Sequence, residues 1–142
     1  MPPLRRARTL TVSIAAPAAA VYAFIADPRQ LPQWAHGLGA APTPLAGGAW
    51  RIETPAGPRR VMFAPINAFG IIDHVVTPLD GGAPSVDIPL RVVPNGDDGC
   101  EVMLTLFQQA GMTDEQHAAD AVLVQADLLR LKRLVESARA GA

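Results

Sequence analysis

The sequence predicts an α+β fold in which an antiparallel sheet curves around one long helix and leaves a hollow between them. Three observations carry this. Thr9 to Ile14 alternates polar and apolar side chains, the period-two signature of a half-buried strand. An alanine-rich helix follows, opened by Ala-Ala-Pro17 and running to Asp27-Pro28 and on to Trp34. Thr113 to about Arg139 is an uninterrupted amphipathic stretch, roughly 27 residues and hence roughly 40 Å of helix at about 1.5 Å per residue. Only short strand-like runs lie between. One helix beside one sheet cannot fill the space beneath a curved sheet, so this order of elements predicts a container.

Composition narrows the class. A chain of 142 residues is read as one domain, residues 1–142, able to bury a core without disulfide or metal help. With 49% hydrophobic residues and a net charge of -1, it has no electrostatic footprint for nucleic acid or acidic membranes. Aromatics at 5% also disfavour base stacking. Cys100 stands alone, which excludes an intrachain disulfide, suits a reducing compartment and reads as a small core hydrophobe. Arg5, Arg6 and Arg8 before Ala18-Ala19-Ala20 resemble a secretory signal, but Thr9, Thr11, Ser13 and Pro17 interrupt the apolar stretch. No apolar run approaches the roughly 18 residues that cross a bilayer, so the expected location is cytoplasmic.

The elements follow in order. Leu10, Val12 and Ile14 share one face of the first strand, and Thr9, Thr11 and Ser13 the other. Pro17 suits a helix start; Val21, Phe24 and Ile25 recur at helical spacing; Asp27-Pro28 ends this helix and begins a second short one, to about Trp34. Gly37, Gly39, Pro42 and Pro44 predict a loop. Residues 49–54, 59–64, 71–77, 86–93 and 100–107 read as strands, separated by Ala56-Gly57-Pro58, Asp80-Gly81-Gly82 and Asn95-Gly96. Val86, Ile88, Leu90 and Val92 alternate with a wet face containing Asp87 and Arg91, and Pro89 must sit at an edge or bulge. In the last helix Thr113 and Gln116 form a capping box, and acidic then basic residues match the helix dipole. Its expected buried arc holds Leu123, Val124, Leu128, Leu131, Leu134 and Val135. Val122 and Leu129 fall elsewhere, either as ordinary exposed residues or as contacts for a homodimer.

Catalytic motifs are missing. No Cys pair and no His-Glu-x-x-His spacing supports a metal site, and no serine has a glycine-flanked elbow. Gly37 and Gly39 start a glycine fingerprint that Pro42 breaks, and no phosphate-cradling Gly-Lys-Ser/Thr occurs. Cofactor-free binding or acid–base chemistry remains.

The opening TLTVSI followed by AAPAAAVYAFIADPRQLPQW resembles that of the START-related polyketide cyclase/dehydrase superfamily (SRPBCC), which includes the birch-pollen-allergen-like proteins. The ending is similar too: LRVVPNGDDGCEVMLTLF resembles the hairpin before the closing helix, and DLLRLKRLVES the helix itself. The resemblance implies a helix-grip fold: a curved seven-stranded antiparallel sheet wrapped around the C-terminal helix, two short helices after the first strand, and an apolar cavity. Six strands are evident. The seventh lies either around Pro42 to Gly48 or in the splitting of a longer run.

Candidate cavity residues follow. One of Asp73 and His74 should face inward; an inward His74 can hydrogen-bond a ligand or act as a base, with Asp73 assisting, or else be a core histidine satisfied by backbone. His117 can reach Asp120 one turn on, near the cavity's end, and His36 reads as a solvated loop residue. Trp34 and Trp50 are candidate walls or structural anchors; Met62, Met103 and Phe107 are candidate lining or plain core. Arg91 reads as solvent-exposed. Asp127 intrudes near the apolar arc, its head pairing with Arg130 or reaching the cavity.

Three functions compete. The first is a binder of a small hydrophobic or aromatic molecule (a lipid, quinone or polyketide-like compound) without cofactor or metal. The second is a cofactor-independent polyketide cyclase or dehydratase using His74 with Asp73, Asp127 or Tyr22. The third is an interaction module like the chaperone activators of the same superfamily.

Overall fold

In a computed structural model the described residues are 4–81 and 84–141. Strand β1 (Ala7–Ile14) leads into helix α1 (Ala18–Ile25), a short 3-10 turn, Pro28–Gln30, and helix α2 (Leu31–Trp34). Strands β2 (Thr43–Pro44), β3 (Trp50–Thr54), β4 (Gly57–Phe63), β5 (His74–Pro78), β6 (Val86–Ile88), β7 (Leu90–Pro94) and β8 (Cys100–Phe107) precede helix α3 (Asp114–Ala140).

The single seven-stranded sheet expected from sequence is replaced by two antiparallel sheets, β1-β8-β7 and β2-β3-β4-β5-β6. Pro89 is the physical reason. The run from Val86 to Pro94 pairs with β5 before this proline and with β8 after it, because a residue without an N–H cannot continue a ladder. Both expected sources of an extra strand are realised: the long run splits, and Thr43–Pro44 pairs with β3. Backbone bonds still stitch the sheets at the break. Ile72 N donates to Leu90 O at 2.8 Å, Val92 N to Gly70 O at 2.9 Å, and Thr105 N to Pro89 O at 3.0 Å. The alternation survives the kink, with Leu90 and Val92 buried while Arg91 and Val93 are exposed.

Helix α3 lies against β1, an edge strand whose outer backbone groups need partners. Side chains of α3 supply them. Gln125 Nε2 donates to Thr11 O at 3.2 Å, Lys132 Nζ to Ser13 O at 2.7 Å, and Ala15 N donates to Glu136 Oε2 at 2.8 Å. The capping box forms as expected, Gln116 N donating to Thr113 Oγ1 and Thr113 N to Gln116 Oε1. The buried residues of α3 are His117, Ala121, Asp127, Leu128, Leu131 and Val135. Leu123 is a correction: it is 46% exposed, lying roughly 120° around the helix from the middle of that stripe at about 3.6 residues per turn. Val122 and Leu129 are exposed as well.

Between helix and sheets sits a core of Val12, Ile14, Val21, Ile25, Val102, Leu128 and Leu131. Cys100 belongs to it, and burial pushes its thiol pKa up, away from nucleophilic behaviour. Among the described residues no helix is long and apolar enough to cross a membrane.

Candidate functional site

A cavity of about 260 Å³ opens where α2, α3 and the two sheets meet. Its walls are almost wholly apolar: Ile25 from α1, Leu31 and Trp34 from α2, Ile52, Val61, Phe63 and Val76 from the larger sheet, Leu90, Leu104 and Leu106 from the smaller, and Val124 from α3. The polar interruptions are His36, His74 and Asp127.

Asp127 and His36 form the most organised of these. Asp127 has a side chain only 8% exposed, yet three donors surround its carboxylate. His36 N reaches Oδ1 at 3.1 Å, Arg130 Nη1 reaches Oδ1 at 3.1 Å, and His36 Nδ1 lies 2.6 Å from Oδ2. Arg130 Nη1 also donates to Trp34 O at 2.8 Å. The loop after α2 is thereby clasped to α3 through one carboxylate. A carboxylate only accepts, so Nδ1 of His36 carries the hydrogen, and a neutral ring leaves its lone pair at Nε2. That is the arrangement in which a histidine takes a proton while the carboxylate steadies the resulting imidazolium. Asp127 combines what were two alternatives: it pairs with Arg130 and it lines the cavity. His36 is the exposed loop residue expected, and it also stands at the cavity wall.

His74 rather than Asp73 faces inward. Its Nδ1 is 3.0 Å from Ile72 O, and its ring tilts against Phe63 with centroids 5.1 Å apart. Because a carbonyl only accepts, Nδ1 is the protonated nitrogen. Desolvation lowers the pKa of His74 below its ordinary value, outweighing the opposing pull of the Ile72 bond and Asp73.

Several expected site residues stand elsewhere. Asp73 is no cavity acid. Its Oδ1 accepts from Leu90 N at 2.9 Å and from Arg91 Nε at 2.9 Å, and its Oδ2 from Arg91 Nη2 at 2.7 Å. It thus supplies the acceptor for the first N–H after Pro89, and the Arg91 guanidinium holds its carboxyl below the usual range. Arg91 is solvent-exposed, as expected, and is its ion-pair partner. His117 is fully buried and donates from Nε2 to Leu106 O at 2.9 Å instead of meeting Asp120; its Nδ1 has no partner. It is a core residue outside the cavity lining. Trp50 and Met62 line a separate depression beside Tyr22 and Pro28.

Met103 and Phe107 are on the wrong face. In β8 the buried positions are Cys100, Val102 and Leu104, so Leu104 and Leu106 line the cavity while Met103 aligns with Thr11 and Arg91 on the outer side. Glu101 and Thr105 share parity with Met103 and Phe107, a polar signal that marks the outer face. Trp34 does line the cavity, and its indole N–H is buried without a hydrogen-bond partner. No comparable signal joins His36 to Asp127, which are 91 positions apart.

Chemically, the arrangement offers an apolar envelope, one carboxylate-held histidine at its wall and one neutral histidine within. Among the described residues no group of three His, Cys, Asp or Glu could hold a metal ion.

Neither a family model nor a curated protein matches the sequence. Similarity to solved structures is extensive. An uncharacterised protein from Bacillus thuringiensis superposes with a TM-score of 0.72 at 15% identity, over 92% of this chain and 98% of that one. The di-domain ARO/CYC protein BexL of the BE-7585A biosynthetic pathway gives 0.74 at 18% identity, over 92% of this chain and 46% of that one. StfQ, a di-domain ARO/CYC protein of the steffimycin pathway, gives 0.72 at 17% identity, over 94% of this chain and 46% of that one. The chain therefore spans about half of each di-domain protein, and at these identities the likeness concerns the fold, which polyketide biosynthesis proteins share.

Proposed function

We propose that the chain binds a small apolar or aromatic, polyketide-like molecule in the cavity between the sheets and α3. The observation that carries this is a hollow of about 260 Å³ whose lining is apolar except at His36, His74 and Asp127. Ligand sites have this character, with shape and desolvation supplying affinity and a few polar groups fixing orientation, although the volume falls just below the usual ~300–1,000 Å³. Trp34 and Phe63 would contact the ligand's faces, with His74 setting its orientation. Fold likeness to proteins of polyketide biosynthesis supports the choice of ligand class. Native mass spectrometry and displacement of an environment-sensitive dye by bicyclic aromatics test it. Saturable binding that is lost when the cavity is filled is the expected result, and absence of binding across such a panel overturns the reading.

A second reading, a cofactor-independent cyclase or dehydratase, is favoured by one observation: the 2.6 Å contact between His36 and Asp127 at the cavity wall. In this version His36, not His74, is the proton acceptor, because the ring of His36 is hydrogen-bonded to a carboxylate whereas that of His74 is bonded to a backbone carbonyl. Replacing His36 by Gln should then lower turnover of a polyketide-like substrate by at least about a hundredfold without weakening binding. Unchanged turnover removes His36 as the proton acceptor, and no turnover by the wild-type chain removes the enzyme reading and leaves the binding one.

A further inference from the structure

We propose that His74 makes the cavity selective for neutral ligands bearing a hydroxyl donor, a phenol or an enol, which it binds through Nε2. The inference rests on the cavity being a binding site and names what that site recognises.

The tautomer decides what His74 can offer. Nδ1 lies 3.0 Å from Ile72 O, an oxygen that can only accept, so the ring hydrogen is on Nδ1. Nε2 then holds a lone pair. Among the described residues Nε2 forms no hydrogen bond, although His74 is one of the few polar side chains in the lining. Burial keeps the ring uncharged at neutral pH, so Nε2 does not become a donor. Nε2 is thus an unpartnered acceptor on a half-buried ring in an otherwise apolar lining, and a ligand O–H supplies the donor it lacks.

The same geometry rejects two other apolar classes. A carbonyl-bearing compound such as a quinone presents only acceptors to Nε2, lone pair against lone pair. A fatty acid carboxylate meets no free cation among the described lining residues, since the neighbouring Arg130 is engaged with Asp127 and with Trp34 O. It would have to shed its hydration without compensation. A phenol or enol satisfies Nε2 and carries no charge.

The test compares three bicyclic probes of nearly equal shape with the wild-type chain: β-naphthol, its methyl ether and β-naphthoate, each titrated calorimetrically at neutral pH. The expected result is β-naphthol binding at least about tenfold more tightly than the ether, with β-naphthoate weakest. His74→Phe, which retains a ring of similar shape, should bring naphthol and ether within about twofold of each other. Thermal unfolding of this variant reports whether it is folded, and the wild-type comparison stands without it. Equal affinity for naphthol and ether, or preferred binding of naphthoate, overturns the inference while leaving the binding reading intact. If none of the three binds, the binding reading fails and the selectivity goes with it.

Discussion

His36 Nδ1 sits 2.6 Å from Asp127 Oδ2, and the backbone N–H of the same histidine donates to Oδ1 of the same carboxylate. One buried side chain on α3 thus fixes both the ring and the backbone of a residue in the loop after α2. Replacing Asp127 by Ala leaves two N–H groups of His36 without their acceptor and frees Arg130. The expected loss of stability is about 1–3 kcal/mol, from the stranded donors rather than from an ion pair whose other members are largely solvated. Urea unfolding measures it. Asp127→Asn, which still accepts one hydrogen bond, should fall between wild type and Asp127→Ala; equal stability for all three would mean that the clasp contributes nothing.

The hollow itself can be closed from a rigid element. Val124 projects from α3 into the cavity that Leu104 and Leu106 also line. Val124→Phe places extra volume in empty space rather than in a packed core, so stability should change by less than about 1 kcal/mol. Affinity for an aromatic probe should drop at least about tenfold in the same calorimetric titration. Unaltered affinity would mean that probes bind somewhere else, such as the depression lined by Trp50 and Met62.

Sequence patterning reaches the strands, the caps and α3 because each depends on neighbours a few positions apart. Thr113 and Gln116 cap one another within one turn, and period two alone puts Leu90 and Val92 inside. Pro89 is recognisable as a break, but whether the chain continues in one sheet or passes to a second depends on its partners, β5 and β8, which pair on either side of it. The site is legible only in part for the same reason. His74 can be narrowed to one of two adjacent residues; Asp127 stands out as a charge beside an apolar stripe. His36 carries no local mark, since its role is created by a carboxylate 91 residues away. Met103 and Phe107 mislead differently. Their softness and size suit a cavity wall, yet the parity they share with Glu101 and Thr105 decides their face.

Gly70 holds the junction of the two sheets. Its φ is +74°, and a Cβ built on it would stand 2.1 Å from Val92 O, backbone that cannot swing aside. Gly70 O in turn accepts from Val92 N at 2.9 Å. Gly70→Ala therefore combines left-handed strain of about 1–3 kcal/mol with a backbone clash, and should cost more than about 3 kcal/mol. Gly96 is the control. Its φ is +73°, and nothing lies within 4 Å of the point where a Cβ would sit, so Gly96→Ala should cost only about 1 kcal/mol. Similar thermal shifts for the two variants would show that the approach to Val92 is not tight.

Acid should weaken the fold in two separate stages. Burial lowers the pKa of His74 below the usual 6.5, so on acidification the unfolded chain takes up this proton before the folded one does. By linkage, stability falls as pH drops through 6.5 and levels off only below the folded-state value. The carboxylates act lower. Asp73 is held below 3.8 by Arg91, and Glu136 below 4.5 by the Ala15 N–H and then Lys132. Their contributions are present above those values and disappear beneath them. Urea midpoints recorded from about pH 7 to about pH 5 should decline in wild type and stay nearly level in His74→Phe, whereas both proteins should lose stability below about pH 4. A slope between about pH 7 and pH 5 that persists in His74→Phe would assign that proton to another histidine.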